Sequence, residues 1–262
     1  MTQFADEADE RNAKLNSLAT QCFLNTADNE YIVARMCYRA GLALQFNWSA
    51  LHCLEKYLKA VLLYNRIPAK NRNHEPVKLT RKASKLAFFG ISKGSQKFMA
   101  DLEKYGGDRY LTKSYQMLPN ALPMLDRSVW EVRKFCRVLT LEGCRTRSDA
   151  EDEIDSAILD LSHADPKNPQ PFPLPGRRLE ALIDGPDSNE RRALIWHNLF
   201  FGKRSRQKIK LPTRWRWEES PGFLYPDILT EARKYVYWPT LRPAANQLAK
   251  HCSYISSRRS QK

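Results

Sequence analysis

Ala50-Leu51-His52-Cys53-Leu54-Glu55-Lys56-Tyr57-Leu58-Lys59-Ala60 is the stretch whose periodicity decides the fold. Across Trp48 to Tyr64, the residues Leu51, Leu54, Leu58, Val61 and Leu62 recur at three- and four-residue steps. That spacing lays them along one side of a helix, with Glu55, Lys56 and Lys59 off the stripe. Glu55 also precedes Lys59 by one turn, the favourable order for an i,i+4 ion pair, which adds about 0.3 kcal/mol.

Outward from this segment the chain reads as helix after helix. Phe4 to Phe23 carries a loose stripe of Leu15, Leu18, Ala19 and Cys22. Asp28 or Asn29 suits the cap of a helix from Tyr31 to about Phe46, with Val33, Met36, Cys37, Ala40 and Leu44 inward. Pro68 and Pro76 punctuate a polar connection ending in Asn73-His74-Glu75-Pro76. Val77 to Phe89 and Gln96 to Tyr105 are shorter helices separated by Gly90 and Gly94. Asp126 to Leu141 is a strong one, with Leu125, Val129, Val132, Cys136 and Leu139 on one side. Ser148-x-x-Glu151 is a capping box that opens a helix to about His163.

Then the character changes. Pro166, Pro169, Pro171, Pro173 and Pro175 make 165–176 a stiff extended connection, because each proline removes a backbone donor. Beyond it lie Arg178 to Ile183 and an Asp187-x-x-Glu190 cap opening Asn189 to Phe201. The cationic stretch Lys203 to Trp217 follows, then Phe223 to Lys234, Tyr235 to Ala249 and a basic Ser/Arg tail. The predicted fold is mainly α: an up-and-down helical bundle over residues 1–145, and a smaller basic, mostly helical region over 146–262. The alternation in Lys208-Ile209-Lys210-Leu211 and Arg214-Trp215-Arg216-Trp217 suits short strands.

Composition narrows the function classes. With 42% hydrophobic and 27% charged residues, the 262-residue chain is globular and not disordered. Its longest purely apolar runs are short, such as Ala60 to Tyr64, against the ~18 residues of a membrane span. The acidic opening lacks an apolar signal core, so the expectation is a cytoplasmic protein with no membrane contact. Ten glycines form no Gly-x-Gly and no Gly-Lys-Ser/Thr, which disfavours nucleotide-binding loops. Six cysteines form no Cys-x-x-Cys pair, and reduced thiols are expected. No two histidines are spaced as a metal pair, so neither a metal nor a cofactor is predicted. His52 reads as a bundle-rim residue and His74 as a brace on the following helix through backbone hydrogen bonds.

The net charge of +14 favours a polyanionic partner, either nucleic acid or an acidic protein. Lys203, Arg204, Arg206, Lys208, Lys210, Arg214 and Arg216 meet no acid before Glu218, and Trp215 and Trp217 interleave with them. Cations for phosphates and flat rings for bases suit single-stranded nucleic acid. The same alternation also describes a strand with Trp inside and Arg in solvent. A second basic cluster comprises Arg66, Lys70, Arg72, Lys78, Arg81, Lys82 and Lys85.

The order of features from Tyr31 to Leu141 resembles a HEPN domain, a helical bundle of bacterial and archaeal defence and toxin–antitoxin proteins. Ile32-Val33-Ala34-Arg35…Ala43-Leu44-Gln45 resembles its first long helix, and Glu55-Lys56-Tyr57-Leu58-Lys59-Ala60 the core of its second. Asn73-His74-Glu75-Pro76-Val77-x-Leu79 resembles the step into its third. The likeness covers somewhat under half of the chain and leaves the residues after Leu141 unaccounted for. It implies RNA as a partner and, in catalytic members, a metal-independent ribonuclease with an Arg–His pair, usually assembled across a homodimer. In such a site His moves protons while Arg holds the developing phosphate charge.

The helix where that pair belongs, Asp126 to Leu141, has Arg127, Arg133 and Arg137 but no His. A spacing match lies elsewhere, in Arg191-Arg192-Ala193-Leu194-Ile195-Trp196-His197. On an ideal helix the offset of five or six residues separates Arg192 or Arg191 from His197 by about 140° or 120°. A shared site therefore needs a distorted helix end or a second subunit. The other reading is a capped helix with a solvent-facing Arg pair.

Overall fold

The computed structural model describes residues 7–70, 74–106, 115–117, 120–136, 156, 159, 161–163, 174, 177–202, 216–218 and 226–235. These fall into two compact units, one drawn from Met1–Gly107 and Tyr115–Glu218, the other from Asp108–Ser114 and Glu219–Lys262. The first holds α1 (Glu7–Leu18), α2 (Asn25–Ala40), α3 (Ala43–Tyr64), α4 (Pro76–Ala83), α5 (Lys93–Gly106) and α6 (Ala121–Arg133). It continues with α7 (Arg178–Asp184) and α8 (Asn189–Ile195), and the second unit contributes α9 (Leu229–Ala232). The chain is mainly helical. No helix among the described residues is long and apolar enough to cross a membrane.

α3 is the central element and packs against α2, α4, α5 and α6. Its stripe is as the periodicity predicts: Leu51, Leu54, Leu58, Val61 and Leu62 are all fully buried. Each contributes about 1.5–3 kcal/mol on leaving water. Leu122, Leu125, Val129, Val132 and Cys136 supply the facing surface from α6 and the 3-10 turn Lys134–Cys136 that extends it. Cys53 is buried as well, and the described cysteines are free thiols.

The second helix departs from its expected bounds. Gly41 adopts a left-handed φ of 74°, and its N–H closes the end of α2 on the carbonyls of Cys37 and Tyr38. Leu44 and Phe46 therefore belong to α3. Asp28 caps nothing; it lies within α2, fully buried. The inward face of α2 is Ala27, Asp28, Tyr31, Ile32, Ala34, Arg35 and Tyr38, while Val33 and Met36 are exposed. A π-helical turn, Ala19–Leu24, joins α1 to α2 without a break. Such a turn advances the register relative to a regular helix.

Buried charges replace the expected apolar contacts on α2. Arg133 of α6 donates from Nε to Asp28 Oδ1 at 2.8 Å and from Nη2 to Oδ2 at 3.0 Å. Tyr57 donates its hydroxyl to Asp28 Oδ1 at 2.5 Å. Two turns on, Arg35 bonds Asp126 of α6 and the carbonyls of Ala193 and Trp196. Tyr31 donates to Asp126 and accepts from Asn198 at 2.9 Å. Burial raises the Asp126 carboxyl above its usual range despite the opposing Arg35.

These networks decide where α7 and α8 sit. Arg133 also bonds Glu180 of α7, and Arg35 bonds the end of α8, so both short helices pack on the bundle within its own unit. The unit does not end near residue 145, because buried guanidinium groups reach across to this later segment. β1 (Tyr115–Met117) pairs antiparallel with β2 (Arg216–Glu218), in the register Tyr115 to Glu218 and Met117 to Arg216.

Candidate functional site

α3 and the connection before α4 bring His52, Glu55 and His74 together. His52 and Glu55 are three residues apart on α3, which places them on one side of the helix, one above the other. His74 comes from the chain segment that leads into Pro76, the first residue of α4. Its Nδ1–H donates to Glu55 Oε2 at 2.7 Å. Lys59 pairs with the other oxygen, Oε1, at 2.7 Å, so both carboxylate oxygens are engaged. Burial works to raise the Glu55 carboxyl, but the hydrogen bonds from Lys59 and His74 outweigh it and hold it below the usual range.

The rings form a tight group. The centroid of His52 lies 4.3 Å from His74 and 4.1 Å from Trp48, and Trp48 lies 5.5 Å from His74. His74 is just over one-third exposed, whereas His52 Nε2 is buried without a hydrogen-bond partner. Burial, helped by repulsion from His74, pushes His52 down to about 4. It is therefore neutral at pH 7, with one nitrogen lone pair to give. Beside the group, Lys56 pairs with Glu30 of α2 at 3.0 Å.

His74 thus braces α3 through Glu55, and not the backbone of the next helix. That capping duty falls to Glu103 of α5, whose Oε1 accepts the Val77 N–H at 2.6 Å. Taken singly, the two histidines reveal no such group, because His74 follows Glu55 by nineteen residues and lies on another element. The readable signal is the pair His52-x-x-Glu55, a donor and a carboxylate one turn apart on the central helix.

The Arg–His candidates are arranged differently. Ser188, not Asp187, caps α8: its Oγ accepts the Arg191 N–H at 3.1 Å. Asp187 instead takes a forked pair from Arg192, both exposed. Arg191 Nε donates to the Ile183 carbonyl at 3.2 Å. The helix stops at Ile195, since Trp196 is extended and His197 has a left-handed φ of 50°. His197 packs its ring edge-on against Trp196 at 4.6 Å. Among the described residues, no hydrogen bond or ion pair joins His197 to Arg191 or Arg192.

Of the basic-aromatic stretch, Lys203, Arg204, Arg206, Lys208, Lys210, Arg214 and Trp215 lie outside the described residues. Arg216 and Trp217 sit in β2, held by its ladder with β1. In the second cluster, Arg66 is tied to Asn12 and Asn16 of α1, Lys82 to the Pro68 carbonyl and Lys78 to Glu75. Compared with known protein families, curated proteins and solved structures, the chain matches none.

Proposed function

We propose that this is a HEPN-like intracellular protein that binds nucleic acid, RNA in the first place, in a defence or toxin–antitoxin setting. What carries the reading is where the excess charge lies. In the bundle Arg35, Lys56, Lys59, Arg127, Arg133 and Arg192 each pair with a carboxylate. After Gly202 the chain has fourteen Lys and Arg against four Asp and Glu, so most of the +14 belongs to that segment. A cation already paired with a carboxylate is less available to replace counterions on RNA; a run without acids is more so. Trp215 and Trp217 interleave with the run in sequence, and flat rings of that kind stack on unpaired bases.

The test is fluorescence anisotropy of a labelled single-stranded RNA titrated with the full chain over a salt series. Log affinity should fall with log salt at a slope of several units, about 0.7 for every phosphate that the protein neutralises. Changing Lys208, Lys210, Arg214 and Arg216 together to Gln should flatten that slope while leaving the bundle folded. A flat salt response in the unaltered chain overturns the reading. Co-purification with an acidic protein and no RNA signal would turn it to a protein-interaction module. Cleavage of RNA in EDTA that disappears in His197→Ala would make it a metal-independent ribonuclease.

A further inference from the structure

We infer that His52, Glu55 and His74 form a binding site for a first-row transition-metal ion such as Zn2+, with a coordination position left open. One ligand atom from each residue lies within 4.8 Å of the other two. Metal bonds of about 2.0–2.2 Å draw such donors to about 3–3.5 Å from one another, so side-chain adjustments of about 1 Å complete the set. His74 Nδ1 and Glu55 Oε2 are already 2.7 Å apart, held by a proton that the ion replaces.

The donor chemistry selects the class of ion. Two imidazole nitrogens and one carboxylate oxygen suit zinc and its first-row neighbours, whereas calcium and magnesium ask for oxygen throughout. Lys59 occupies Glu55 Oε1 and so leaves Oε2 as a single donor. A charged Lys in that place orients the carboxylate as an outer-shell partner does in metal sites.

The buried nitrogen separates an ion from a bulkier ligand. His52 Nε2 has neither solvent nor a hydrogen-bond partner, so its polar capacity is left unsatisfied in the folded protein. A phosphate or ribose hydroxyl cannot reach an atom without exposed surface. A small ion bonded to that nitrogen would satisfy it. Three protein ligands, of which His74 is just over one-third exposed, leave a tetrahedral ion a fourth position for water, the pattern of catalytic and not of closed structural zinc sites. The inference stands whether or not the chain binds RNA.

The experiment uses the untagged full chain, stripped with chelator and titrated with Co2+, then Zn2+. Binding of one equivalent should raise visible absorption of a four- or five-coordinate Co2+ ion without the near-ultraviolet band of thiolate ligation, and Zn2+ should displace it. His74→Gln and His52→Gln should each weaken binding at least tenfold, while the metal-free variants melt within a few degrees of the parent. Glu55→Gln serves as a third variant whose melting is followed in parallel, because that carboxylate is buried. Absence of Co2+ binding at millimolar concentration overturns the inference. So does a thiolate band, or affinity unchanged in both histidine variants. Stabilisation by inorganic phosphate without any by Co2+ would make the group an anion cradle and overturn it equally.

Discussion

Arg133 and Glu180, forty-seven residues apart in the chain, meet in a fork of two hydrogen bonds, 2.7 and 2.8 Å long. The same guanidinium holds both oxygens of Asp28, so one side chain ties α6 to α2 and to α7. With Asp28 fully buried and Arg133 nearly so, neither charge has water to fall back on. Removing the cation therefore leaves buried carboxylate charge uncompensated. Arg133→Met should cost about 3–5 kcal/mol in urea unfolding, because two carboxylates are left without their partner. Arg133→Lys should recover little, since an ammonium cannot make the planar forks. A loss below about 1 kcal/mol for Arg133→Met would contradict the network.

Acid should attack the same junction from the other side. Burial works to raise the Glu180 carboxyl, but bonds from Arg133 and from the Leu174 N–H bring it below its ordinary 4.5. Glu131 behaves alike: burial is outweighed by Arg127 and the Ser92 N–H. A carboxyl depressed in the folded state adds stability that is complete above its unfolded value and is lost as pH falls through the folded one. Glu180→Gln should thus lower stability at pH 7 by about 1–2 kcal/mol. The gap to the parent should narrow as pH falls below about 4.5. A gap that is constant with pH would mean Glu180 acts by shape and not by charge.

How far the sequence can be read follows from which side chains occupy the inner faces. α3 is legible because its inner face is leucine and valine at helical spacing, and α6 likewise through Leu125, Val129 and Val132. α2 is not, because Asp28 and Arg35 stand at inward positions where apolar residues are expected. Period counting then selects the more apolar but exposed Val33 and Met36. The same two guanidinium groups, Arg35 and Arg133, draw α7 and α8 into the bundle's unit across a proline-rich stretch that looks like a boundary. The histidine group is hidden for a related reason. Donors drawn from α3 and from the segment that leads into α4 leave no spacing motif in the chain beyond His52-x-x-Glu55.

The cap of α8 offers a sharp local contrast. Ser188 has extended backbone geometry and its Oγ accepts the Arg191 N–H, whereas Asp187 only pairs with Arg192 in solvent. Ser188→Ala should lower stability by about 1 kcal/mol, and Ser188→Gly by only a few tenths. Asp187→Asn should leave the melting temperature where it is, because exposed ion pairs hold little. If Asp187→Asn proves the costlier change, the cap assignment is reversed.

Tyr31 and Asn198 test whether the segment after α8 is held by a specific polar contact or only by packing. Tyr31 is fully buried; its hydroxyl donates to Asp126 at 2.6 Å and accepts from Asn198 Nδ2 at 2.9 Å. Asn198 in turn donates to the Leu194 carbonyl, and its Oδ1 accepts from the N–H groups of Phe200 and Phe201. The amide thus closes the end of α8 onto α2. Tyr31→Phe removes one oxygen and keeps the ring, including its tilted packing against Phe201 at 5.6 Å. It leaves Asp126 and Asn198 each short of a partner, which should cost about 1–3 kcal/mol. Asn198→Ala should cost a similar amount, and the double variant clearly less than the sum, with a coupling of about 0.5–3 kcal/mol. Additive losses would show that Asn198 organises its own turn without reading Tyr31.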